Sequence, residues 1–128
     1  MKSTLRFKRG DFEQAIREAL ELFPPILRDK MENVEIILED WPPASIRKDM
    51  GIPSRYDLLG LYQGIPRPAR DSHYAAVLPD MITLYRGPIE DLSRDKDELR
   101  RQIREVLYHE IGHFYGFSEE ELEDLERE

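Results

Sequence analysis

The chain has 128 residues, no cysteine and a formal net charge of −8, with 40% hydrophobic and 36% charged residues. That length suits a single domain (residues 1–128) with one core, and the lack of cysteine excludes disulfides, thiolate chemistry and cysteine-held metals. The acidic balance argues against nucleic acid as a partner; with no membrane-spanning window and no apolar signal-like run in Met1–Gln14, a cytoplasmic protein without membrane contact is expected.

In chain order, Asp11–Phe23 (DFEQAIREALELF) places Phe12, Ile16, Ala19, Leu20 and Phe23 at helical spacing, with Asp11 as the N-cap. Pro24-Pro25 breaks that pattern and opens a short second turn through Met31. Val34–Leu38 (VEIIL) is β-branched and apolar, which predicts a strand. Glu39–Ser54 is rich in proline and charge and reads as a loop with one helical turn, anchored over the core by Trp41. Leu58–Gln63 (LLGLYQ) and Met81–Arg86 (MITLYR) are two further strands, bounded by Gly64-Ile65-Pro66 and Gly87-Pro88. Between them, Pro66–Tyr74 is turn-rich and reads as exposed.

Ser93 or Asp95 then caps a long helix carrying Leu99, Ile103, Val106, Leu107, Ile111 and Phe114. Gly116 stops it, as a glycine in the left-handed region does. Ser118 and Glu121 form a capping box for a last helix, Glu119–Arg127. The sum is α+β: a small three- to four-stranded sheet against an N-terminal helix and a long helix, with a short helix at the C-terminal end.

Two of the three histidines, His109 and His113, lie four residues apart on the long helix, with Glu110 directly after the first. That spacing puts both imidazoles on one helix face, about 5–6 Å apart at Cβ, within reach of one tetrahedral zinc. Glu110 is rotated away from that axis, where it suits a general base acting on water at the metal's open side. A hydrolytic zinc wants a third protein ligand. Gly116 lets the chain turn off the helix and Glu119 follows three residues on, giving H-E-x-x-H-x-x-G-x-x-E, the metzincin layout with a carboxylate for the third histidine. Glu120, Asp124 and His73 are the alternatives for that place.

HEIGHFYGFSEEEL, with LLGLYQGIP and DMITLYRGPIE upstream, resembles the small bacterial zincin-like metallopeptidases, the minimal zincins. The resemblance spans roughly Val34 to the C-terminus. It implies a minimal zincin-like fold, zinc as cofactor and hydrolysis of peptide or protein substrates. Position by position it makes His109 and His113 metal ligands, Glu110 the catalytic base and Glu119 the acidic residue after the glycine turn. No Met-turn or long C-terminal subdomain follows, unlike larger zincins.

Plainer readings stand beside these. Glu119 opens a helix whose N-terminus favours acidic residues in any case. His73 reads as a solvated loop histidine. Tyr62, Tyr85, Tyr108 and Tyr115 could include an oxyanion-stabilising phenol, though packing against the sheet is their ordinary role. The rival to a peptidase is a non-catalytic metal- or protein-binding module on a zincin scaffold. Glu110 argues against it, because a binding module has no use for a base beside its metal. One sheet strand, Leu58–Gln63 or Met81–Arg86, is expected to border the cleft, where it could pair with an extended substrate.

Overall fold

The computed structural model describes residues 6–64 and 79–127. Helix α1 (Arg9–Leu22) turns Phe12, Ala15 and Ala19 inward. It starts two residues before Asp11: Lys8 is the N-cap, and Asp11, at the third helical position, accepts the Lys8 backbone N–H at 3.0 Å. The acidic side chain thus satisfies a helix-end donor from inside the first turn. Pro25 opens the short helix α2 (Pro25–Asp29), whose Leu27 is fully buried.

Strand β1 (Val34–Glu39) follows as expected. The segment read as a loop holds a longer helix than one turn, α3 (Ala44–Met50), closed by Gly51 at φ 71°. Strand β2 (Gly60–Gln63) is shorter than its apolar run, because Leu58 turns into the core before pairing begins. Strand β3 (Asp80–Tyr85) ends one residue early, since Arg86 starts a short helix, α4 (Arg86–Asp91). Gly87-Pro88 reads as a breaker in sequence. A proline in a first turn, however, lacks only an N–H that has no partner there anyway. Gly87 also receives Trp41: a Cβ there would lie 2.4 Å from the indole. Trp41 is the loop anchor its setting suggested.

The long helix α5 (Lys96–Phe114) is capped by Asp95, which accepts the Glu98 N–H at 2.9 Å. Ser93 instead donates its hydroxyl to the Ile89 carbonyl. Helix α6 (Glu119–Arg127) completes the described chain.

Among the described residues the sheet has three strands in the order β1-β3-β2. β1 runs parallel to the central β3, from Val34↔Asp80 to Glu39↔Tyr85. β2 runs antiparallel to β3, from Gly60↔Leu84 to Gln63↔Met81. α5 packs along α1 and beside β2. Its stripe Leu99, Ile103, Leu107 and Ile111 meets Phe12 and Leu27, and Ile82 and Leu84 of β3, in one core with every one of these side chains at most 1% exposed. The core therefore fixes which face of α5 is left for chemistry. The architecture is the α+β arrangement expected, and no described helix is long and apolar enough to cross a membrane.

Candidate metal centre

His109 and His113 lie on the face of α5 turned away from the Leu99–Ile111 stripe, with ring centroids 5.9 Å apart. Each ring is oriented by a backbone carbonyl. His109 Nδ1 is 2.8 Å from the Glu105 oxygen and His113 Nδ1 is 3.2 Å from that of Phe117. These contacts place a proton on Nδ1 and turn Nε2 toward a common point, the outer hydrogen bonding that metal-ligating histidines use. At that point is Glu119, with His109 Nε2 at 3.1 Å from Oε1 and His113 Nε2 at 2.8 Å from Oε2.

Three local features bring Glu119 there. Gly116, at φ 89°, ends α5 with paired bonds from the Gly116 N–H to the His113 carbonyl and from the Phe117 N–H to the Gly112 carbonyl. Ser118 and Glu121 cap α6 reciprocally, at 2.8 and 3.1 Å. Leu122, fully buried, then seats on Gly112, where a Cβ would lie 2.4 Å from its Cδ2. The Tyr108 hydroxyl donates to the Leu122 carbonyl and fastens the same junction.

Of the alternatives, Glu120 is exposed and Asp124 is held by Arg127 at 2.7 Å. His73 lies outside the described residues. Glu119 is thus the acidic residue that the fold brings to the two histidines.

Glu110 is half-buried beside them and accepts the backbone N–H of Tyr62 at 3.1 Å. Burial raises its pKa, against the opposing pull of that N–H and the two imidazoles. A carboxyl shifted this way is a better proton acceptor than an exposed one. Burial resists charging of His109, but the Glu105 carbonyl and the Glu119 carboxylate outweigh it, so its pKa is raised. Glu119 is lowered, chiefly by the hydrogen bond with His113 and then by His109.

The Tyr62 contact was invisible in the sequence, because a backbone amide has no side-chain signature. It arises from strand geometry. Leu59 accepts from Tyr85, so in the alternating antiparallel ladder Leu61 and Gln63 also bond to β3. Gly60 and Tyr62 therefore turn their backbone groups outward. Among the described residues this makes β2, not the central β3, the strand with its free edge on the centre. Gly60 permits the approach, since a Cβ there would meet Val106 of α5 at 2.7 Å. Glycine inside an apolar run was the one readable sign of it.

The four tyrosines named as candidates, Tyr62, Tyr85, Tyr108 and Tyr115, are engaged in packing and structural hydrogen bonds. Tyr62 stacks on Phe114 at 3.8 Å and donates to Asp80, Tyr85 and Tyr108 are buried, and Tyr115 lies under Lys30.

Two imidazoles and one carboxylate match the donor set of a divalent cation with an open position. Ligands about 2.0–2.1 Å from a tetrahedral zinc stand about 3.3 Å apart. The observed 2.8 and 3.1 Å are hydrogen bonds from the two imidazoles to different oxygens of the carboxylate, contacts that a cation would have to displace to take Glu119 as a ligand. Among the described residues no group of three or more such side chains is arranged to hold a metal ion; this trio is closed on itself by its hydrogen bonds.

Residues 31–128 match a family model described as zincin-like metallopeptidase. No curated protein gives a significant match.

Proposed function

The chain belongs to the zincin-like metallopeptidase family, and from that premise we propose a zinc-dependent peptidase acting on cytoplasmic peptides or proteins. The observation that carries this reading is the meeting of both imidazole Nε2 atoms on one Glu119 carboxylate, with Glu110 beside them on a separate anchor. His109, His113 and Glu119 would hold the zinc. When bound, it would polarise the scissile carbonyl and acidify water.

The remaining steps fall to the chain's own groups. Glu110 takes the proton of the attacking water at its carboxylate and returns it to the leaving amine nitrogen. The Tyr62 N–H steadies that carboxylate. The Gly60 backbone groups and the Tyr62 carbonyl, turned outward beside that N–H, offer an extended peptide an antiparallel or parallel partner. Ordering the substrate along a rigid edge brings its carbonyl to the base without further search.

Elemental analysis of the purified protein, followed by peptide hydrolysis with Glu110→Gln, tests the reading. About one zinc per chain is expected, lost in the His109→Ala/His113→Ala variant. Glu110→Gln should keep the metal and lose hydrolysis. A metal-loaded wild-type chain that cleaves no peptide, or a Glu110→Gln chain as active as wild type, would favour the non-catalytic binding module instead.

A further inference from the structure

An open groove of about 320 Å3 runs along α5 and reaches His109 and Glu110. One wall is the chain entering β2, from Asp57 to Gly60; Glu105 and Val106 of α5 stand on the other. Its floor is apolar, made where Leu59 and Val106, both half-buried, flank the Gly60 contact. Its rim is acidic. Asp57 and Glu105 are exposed on opposite sides, and among the described residues neither pairs with a cation. No lysine or arginine lines the groove.

We propose that this groove selects substrates carrying a lysine or arginine side chain next to the scissile bond. The inference rests on the peptidase reading above and names the substrate class of the same site. A long cationic side chain fits both parts of the groove: its methylene stem covers Leu59 and Val106, and its head sits between two carboxylates. His109 and the proposed zinc lie at the inner end, so the negative potential comes from Asp57 and Glu105 on the outer rim, where an acidic side chain meets two like charges. A neutral apolar side chain would gain the floor and nothing from the rim. The groove adjoins the outer edge of β2, so a peptide paired with Gly60 and the Tyr62 carbonyl would present its side chains to it.

The test uses N-acetylated peptides, which carry no terminal ammonium, with arginine replaced by its neutral isostere citrulline at each position in turn. Affinity is read by fluorescence anisotropy on the zinc-loaded Glu110→Gln chain, and turnover on wild type. At one position flanking the cleaved bond, arginine should bind roughly tenfold more tightly than citrulline, as two partly exposed ion pairs allow. Raising salt should shrink the ratio. Asp57→Asn combined with Glu105→Gln should reduce it to near one. An undiminished ratio in that variant, or no binding ratio at any position with Asp57 and Glu105 intact, overturns the inference. A preference seen only in unacetylated control peptides would overturn it in favour of ammonium recognition. Failure of turnover alone, with the binding ratio intact, counts against the peptidase reading and leaves the groove's selectivity standing.

Discussion

Glu119 and Glu120 stand side by side at the start of α6, both exposed, and only Glu119 reaches the histidines. Composition and helix-end electrostatics treat the two alike. Direction separates them, because one residue further along a helix turns the side chain by about 100°. Glu119→Ala should therefore weaken zinc or cobalt binding by more than the roughly 10–100-fold that losing an outer-shell partner costs. Glu120→Ala should leave it unchanged. Competition with a chromophoric chelator measures both. Equal effects from the two variants would remove Glu119 from the centre.

At the scale of elements, the junction of α5 with α6 governs where that carboxylate stands. Glycine inside a helix normally costs up to about 1 kcal/mol relative to alanine, so replacing one usually helps. At Gly112 the sign should reverse. The added Cβ would meet Leu122 and push α6 outward, carrying Glu119 off the histidines. Gly112→Ala is expected to lower metal affinity in the wild-type background and to do little once Glu119 is already alanine. Additive losses would show that the glycine acts elsewhere.

Much of this junction was legible in advance. Gly116, the Ser118–Glu121 box and the i, i+4 histidines are local patterns with local causes, and each element formed where they put it. What was hidden depends on contacts distant in sequence. α4 was masked by Gly87-Pro88, whose role is to receive Trp41 from another loop. The free edge of β2 follows from pairing with a strand that comes later, and the Tyr62 N–H on Glu110 follows from that edge. Asp11 was placed at a helix start correctly but at the wrong capping position, since a carboxylate can satisfy the end from either side.

For the whole molecule, the hydrophobic core extends from α1 through β3 to α5 and α6, well beyond the candidate centre. α1 precedes the span matched by the family, residues 31–128, yet packs along the helix that bears the histidines. Phe12, fully buried, is its main anchor. Phe12→Ala should cost about 3–5 kcal/mol, a large share of a domain's stability. Removing metal with a chelator should cost less and leave a cooperative melt, because the centre links only α5 to α6. Thermal unfolding followed by circular dichroism compares the two. A chelated chain without a cooperative transition would make the metal a structural one.

The parallel pairing of β1 with β3 has a consequence in time. Val34 faces Asp80 and Glu39 faces Tyr85, so each rung closes a 46-residue loop before any contact rewards it. The entropic toll of such closure is about 3–4 kcal/mol. Refolding should therefore wait on the meeting of these strands, and run slower than in a helical bundle of equal length. Ile82→Val, on the central strand, is expected chiefly to slow refolding. Leu125→Ala, on the last helix, is expected chiefly to hasten unfolding. Stopped-flow chevrons of the two variants would separate the effects, and an Ile82→Val chain that refolds at the wild-type rate would place the barrier elsewhere.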